Sequence, residues 1–119
     1  MKYGNTKVVV DGVKFDSKLE YYCHGLLTLS SIDFDFQHRI VLVEKFRFEE
    51  KGIRAMTLIV DFVIRHGAKT IYLDTKGFAT ETSKLKYKLL RNKLKDEENV
   101  SVVWLKNKKE VNEYINSLK

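Results

Sequence analysis

Two segments, Leu58-Ile59-Val60-Asp61-Phe62-Val63-Ile64-Arg65 and Ile71-Tyr72-Leu73-Asp74-Thr75-Lys76-Gly77, decide the fold, because both read as strands and a turn at Gly67-Ala68 lies between them. Gly67 holds the first central position, where a type II′ hairpin turn needs glycine, and such a turn pairs His66 with Lys69. Counting outward sets Asp61 directly opposite Asp74; a longer loop that pairs Arg65 with Thr70 gives the same register. Opposed side chains on such a ladder have Cβ atoms roughly 4.5–5.5 Å apart, and like charges there repel. Lys76, two residues past Asp74, falls on the same face. Two carboxylates and one ammonium on one face suit a salt bridge, and equally a divalent cation held by oxygen ligands. Asp61 interrupts the apolar run of a central strand, so its charge must be paired or metal-bound. Asp74 and Lys76 alone would suit an ordinary exposed strand end; their weight comes from the juxtaposition with Asp61.

Working outward, Asp11-Gly12 supplies a type I′ turn between Val8–Val10 and Val13–Phe15. Ser17-x-x-Glu20 reads as a capping box ahead of a helix with Leu19, Tyr22, Cys23, Leu26 and Leu27 at helical spacing, ending near Leu29. Ile32, Phe34 and Phe36 alternate with Asp33, Asp35 and Gln37 as a strand does, and extended chain is expected to continue from Arg39 to Phe48. A turn at Glu49-Glu50-Lys51-Gly52 then leads into a strand from Ile53 to Arg65. Ser83 to about Asp96 lacks Gly, Pro and β-branched residues and predicts a helix. Asn99 opens a buried strand, Val100 to Leu105, and Asn107 caps a last helix whose Val111, Tyr114, Ile115 and Leu118 form one apolar stripe. The order predicts one α+β domain over residues 1–119, sandwich-like, about a central mixed sheet.

With 119 residues, 44% of them apolar and 12% aromatic, the chain has material for a real core. No stretch approaches the roughly 18–20 apolar residues of a membrane span, and MKYGNTKVVV lacks the apolar core of a signal peptide, so no membrane partner and an intracellular protein are expected. The single Cys23 excludes an internal disulfide and reads as a buried helix residue; without a Cys/His cluster there is no zinc site to propose. The net charge of +6 is concentrated. Between Ser83 and Lys95 stand Lys84, Lys86, Lys88, Arg91, Lys93 and Lys95 without an acid, a local field suited to a polyanion. Lys84, Lys88, Arg91 and Lys95 fall within about 60° of one another on the helix, a stripe roughly 16 Å long that could follow several phosphates. A solvated lysine face is the plain alternative.

Glu20 needs no catalytic role if it only completes a capping box. Taken together, however, a Glu on the first core helix, an Asp on a strand, D-x-K on the hairpin-paired strand and a basic helix before another strand resemble the PD-(D/E)xK nuclease superfamily, with Val60 where the motif has Pro. The runs VDGVKFDSKLE, VDFVI and LDTKG, with Gln37, resemble more narrowly a family of small phage-encoded proteins labelled as a domain of unknown function, over about Tyr3 to Lys95. The resemblance implies an αβββαβ restriction-endonuclease-like core with an N-terminal β-hairpin and a C-terminal helix. It also implies that Asp61 and Asp74 bind Mg²⁺ or Mn²⁺, with the Thr75 backbone carbonyl as a further ligand. Glu20 would ligate the metal or hold a water on it. Lys76 would orient or deprotonate the attacking water and stabilise charge on the scissile phosphate; orientation is favoured, because a lysine flanked by carboxylates stays cationic unless it is desolvated. Gln37 would line the site, an exposed strand residue being the alternative.

The expectation is a metal-dependent endodeoxyribonuclease acting on branched or structured DNA, resolvase-like, in phage replication or recombination, with Lys84, Lys88, Arg91 and Lys95 on the backbone. It would work in the cytoplasm of the host cell. A resolvase would act as a symmetric homodimer, for which the first hairpin and the terminal helix are candidate contacts. Two other classes stand beside it: a nucleic-acid-binding module that kept the fold without chemistry, and an interaction protein whose acids and Lys76 form a salt-bridge network.

Overall fold

The computed structural model of the chain describes residues 7–119. The start of the N-terminal stretch read above for a signal peptide, and Tyr3, where the family resemblance begins, lie outside them. In chain order the elements are β1 (Val8–Val10), β2 (Val13–Phe15), α1 (Lys18–Leu29), β3 (Asp33–Val43), β4 (Phe46–Phe48), β5 (Lys51–Ile53), β6 (Met56–His66), β7 (Lys69–Thr75), α2 (Glu81–Leu94), β8 (Val100–Leu105) and α3 (Lys108–Ser117).

Turn chemistry sets the registers. Gly67 takes φ +62 while Ala68 stays out of the left-handed region, as a type II′ turn requires. His66 therefore pairs with Lys69, and the ladder runs to Phe62 opposite Leu73. Asp11 and Gly12, at φ 50 and 78, make the type I′ turn of the first hairpin. β3, β6, β7 and β8 form the central sheet in that order. β6 lies antiparallel to both neighbours and β8 parallel to β7, so the sheet is mixed. A parallel neighbour needs a crossover, which α2 supplies. The chain is thus an α+β protein with the expected αβββαβ core, a hairpin before it and a helix after it. Among the described residues no helix is long and apolar enough to cross a membrane.

The long extended run differs from expectation. β3 bulges and stops at Val43; β4 and β5 then form a sheet of their own, and β6 begins at Met56 rather than Ile53. The turn is tighter than Glu49–Gly52. Glu49 and Glu50, at φ 50 and 61, occupy its left-handed positions, and the Arg47 guanidinium donates to the Glu50 carbonyl at 2.6 Å. α2 starts earlier than Ser83, at Glu81, because Thr80 accepts the Ser83 N–H at 3.0 Å and caps it.

Apolar layers cover both faces of the sheet. α1 and α3 bring Cys23, Leu27, Val111 and Ile115 against Phe62, Ile64, Ile71, Leu73 and Leu105. α2 brings Tyr87, Leu90 and Leu94 against Leu58 and Val60 on the other side. Residues two apart on a regular strand share a face. Val60 and Phe62 do not, so β6 turns over at Asp61. β3 turns over beside it: Phe36 packs with the α1 layer, Ile40 and Leu42 with the α2 layer, and Gln37 between them takes φ 54. Asp61 thus stands where two adjacent strands change faces together.

Candidate active site

Where the β6–β7 ladder ends at Phe62 and Leu73, side chains replace its backbone bonds. The Asp61 N–H donates to Asp74 Oδ1 at 3.2 Å, and the Thr75 N–H and hydroxyl donate to Asp61 Oδ2 at 2.9 and 2.8 Å. The two acids face each other as the turn predicts, and each is held by the backbone of the other strand. The Thr75 side-chain contribution was not expected; β-strand alternation alone gives no sign of it.

Glu20 arrives from α1. Ser17 Oγ accepts the Glu20 N–H at 3.1 Å, but Glu20 does not complete the capping box. Its Oε1 takes the N–H of Asp16 at 2.5 Å instead of that of Ser17, while Oε2 is buried without a hydrogen-bond partner. Glu20 is only 1% exposed, Asp74 3% and Asp61 9%. All three carboxyls border one cavity of about 150 Å³, together with Thr75, Lys76, Ile59 and the Asp16-Ser17 turn. Lys76 is fixed at its backbone: its N–H donates to the Leu105 carbonyl at 3.0 Å and its carbonyl accepts the Trp104 indole N–H at 2.8 Å. Its Nζ lies 3.5 Å from Ser83 Oγ at the start of α2.

Burial dominates the electrostatics. It pushes Asp61 up to about 7, with help from the Glu20 carboxyl beside it and against the Thr75 hydrogen bonds. It pushes Asp74 up to about 8, helped by the charge of Asp61 and opposed by that of Lys76. Glu20 is raised too, chiefly by burial. Gln37 sits beside Glu20 and donates through Nε2 to the Lys14 carbonyl at 3.1 Å, which ties β3 to the β1–β2 hairpin, but it is not among the residues that border the cavity. The buried Tyr87 hydroxyl, on α2, lies close to Asp74 without closing a hydrogen bond.

The basic stripe is placed elsewhere. Lys84, Lys88 and Arg91 border an open depression along α2, Lys84 pairs with Glu81 at 3.5 Å, and Arg91 and Lys95 border another beside Val100 and Val102 of β8. None of the four borders the acidic cavity. α2 begins at the site through Ser83 and carries its cations away from it.

Among the described residues no three or more His, Cys, Asp and Glu side chains stand ready-arranged as a metal cage. The donor set nevertheless suits a hard cation. It consists of carboxylate oxygens, one of them buried and unsatisfied, on acids whose ionisation burial opposes. Over residues 1–112 the chain matches the family model described as "Protein of unknown function (DUF1064)", and it belongs to that family. None of the curated proteins matches it.

Proposed function

We propose that this DUF1064 protein is a metal-dependent endonuclease that hydrolyses phosphodiester bonds in DNA. One observation carries the reading: Glu20, Asp61, Asp74 and Lys76, from a helix, two strands and the residue after the second strand, border one small cavity, and a buried Glu20 oxygen without a hydrogen-bond donor lies beside the Asp61 carboxyl. An oxygen in that state costs stability unless a proton or cation satisfies it.

Glu20, Asp61 and Asp74 would hold Mg²⁺ or Mn²⁺, with the Thr75 carbonyl as a further ligand. When bound, such an ion lowers the pKa of water and offsets charge on the reacting phosphate. The chain's own groups do the rest. Thr75 keeps the Asp61 carboxylate oriented through two hydrogen bonds. Lys76, pinned by its N–H and carbonyl, presents one ammonium to the attacking water and to the phosphate. Gln37 lies next to Glu20 and fixes the neighbouring hairpin. Branched or otherwise distorted DNA, and a dimer to cut it symmetrically, follow from analogy with resolvases.

The second reading, a DNA-binding module without chemistry, draws on the backbone hydrogen bonds that already satisfy one oxygen of each acid. Incubation of the wild type and Asp74→Ala with linear, forked and four-way DNA in Mg²⁺ or Mn²⁺ separates the two. Cleavage by the wild type alone supports the nuclease. Equal cleavage by both removes this site from the reaction, and binding without cleavage by the wild type favours the module.

A further inference from the structure

We infer that the β4–β5 finger is a base-stacking element: Phe46 and Phe48 take unpaired bases of the DNA substrate, and the bare side of the β3–β6 ribbon leads that strand to the acidic cavity. The inference rests on the nuclease reading and adds the class of substrate and its path.

Below Asp61 the β3–β6 ribbon is covered, among the described residues, on one side only. Ile40, Leu42, Leu58 and Val60 pack against α2, whereas Arg39 and Ile59, directly opposed on the other side, are exposed, Ile59 by 56%. Ile59 also borders the cavity. Arg39 therefore stands one cross-strand neighbour from the candidate site, and among the described residues no acid forms an ion pair with it. A free guanidinium beside an acidic cavity is placed to take the phosphate next to the one being cut.

The same two chain segments, after two residues each outside either sheet, pair again in the finger, Phe46 with Ile53 and Phe48 with Lys51. Phe46 is 49% and Phe48 62% exposed, two residues apart and therefore on one side. In Lys45-Phe46-Arg47-Phe48 the cations alternate with the rings and so fall on the opposite side of the strand, with Arg47 folded back onto the Glu50 carbonyl, which leaves the two rings as the exposed aromatic side of the finger, of the kind on which bases stack. Glu49 and Glu50 at the turn offset part of that charge, so stacking rather than attraction carries the contact. From Ile59 to Ile53 the chain spans at most roughly 20 Å at about 3.3 Å per residue, which places the stacked bases within a few nucleotides of the cut. The α2 stripe, on the other face of the sheet and outside the cavity, is left to hold flanking duplex.

The test is a forked DNA carrying 2-aminopurine in its unpaired arm, with Ca²⁺ replacing Mg²⁺ so that binding is read without cleavage. Wild type should quench the fluorophore. Phe46→Ala/Phe48→Ala, both surface changes, should abolish the quench and weaken fork binding tenfold or more while leaving fully paired duplex binding unchanged. Lys84→Ala/Lys88→Ala should keep the quench and weaken both DNAs. Unaltered quenching and affinity in the phenylalanine variant overturn the inference while leaving the nuclease reading standing. So does a variant that binds forks normally but sediments as a monomer where the wild type sediments as a dimer, since the finger would then be a contact between copies. Absence of any DNA binding by the wild type overturns both.

Discussion

At the scale of single residues the account turns on Glu20, whose two oxygens have different fates: one holds the Asp16 N–H, the other is buried and unpartnered. Glu20→Gln keeps an acceptor for Asp16 and removes a charge beside Asp61. The metal-free protein is expected to gain stability in urea unfolding, because burial opposes the charge that the substitution removes. It is also expected to lose cleavage and any response to Mn²⁺. A Glu20 that served only as a cap would leave the Mn²⁺ response intact. Asp61 and Asp74 give a pH signature. Their folded pKa values of about 7 and 8 lie above the usual 3.8, so the native state binds more protons than the unfolded chain between those limits. Their contribution to stability without metal is therefore greatest below about pH 4 and falls as the pH rises toward 8. Urea midpoints in chelator from pH 4 to 8 should decline, and the decline should flatten in Asp61→Asn/Asp74→Asn. A wild-type curve that runs parallel to that of the double variant contradicts the burial of these acids as described. Legibility at this scale was uneven. The opposition of Asp61 and Asp74 follows from Gly67, because a two-residue turn fixes every pair beyond it. The destination of the Glu20 carboxylate does not, since a capping box and its frayed variant share one sequence pattern.

At the scale of elements, α2 joins two jobs that its sequence presents separately. Its first turn reaches the site, Thr80 capping Ser83 while Ser83 approaches Lys76. Thr80→Ala should cost about 1 kcal/mol of stability and loosen the Lys76 end of the site; a cleavage rate that is unchanged after correction for folding would show that this contact is incidental. The end of the cation stripe, Arg91 and Lys95, meets the β8 flank, which helical spacing cannot reveal because periodicity tells which residues share a side and not which neighbour that side meets. Lys84→Ala/Lys88→Ala should weaken duplex binding uniformly across sequences and reduce the salt slope by about 2. An unchanged slope would assign the stripe to solvent. The finger was hidden for another reason. Glu49 and Glu50 fill left-handed turn positions normally marked by Gly or Asn, so the extended run appears continuous until β4 and β5 are seen to separate from the main sheet.

At the scale of the whole molecule, the αβββαβ order was readable because each element carries its own local signal: a cap, an alternation, a turn, an apolar stripe. The reversal of β6 and β3 at Asp61 and Gln37 was not, because it arises only when α1 and α2 claim opposite faces of the same two strands. That reversal is what lets an acid from the central strand meet one from α1 while still opposing Asp74. The convergence of three carboxylates from distant parts of the chain is the central claim, and a divalent ion that binds the folded state alone must raise its stability, by about 2.7 kcal/mol at a hundredfold excess over Kd. The decisive measurement is the thermal midpoint of the wild type and of Asp74→Asn across a Mn²⁺ titration at neutral pH. The wild type should rise saturably by several degrees and Asp74→Asn should not move. A wild type indifferent to Mn²⁺, or a variant that rises equally, would contradict the shared metal site.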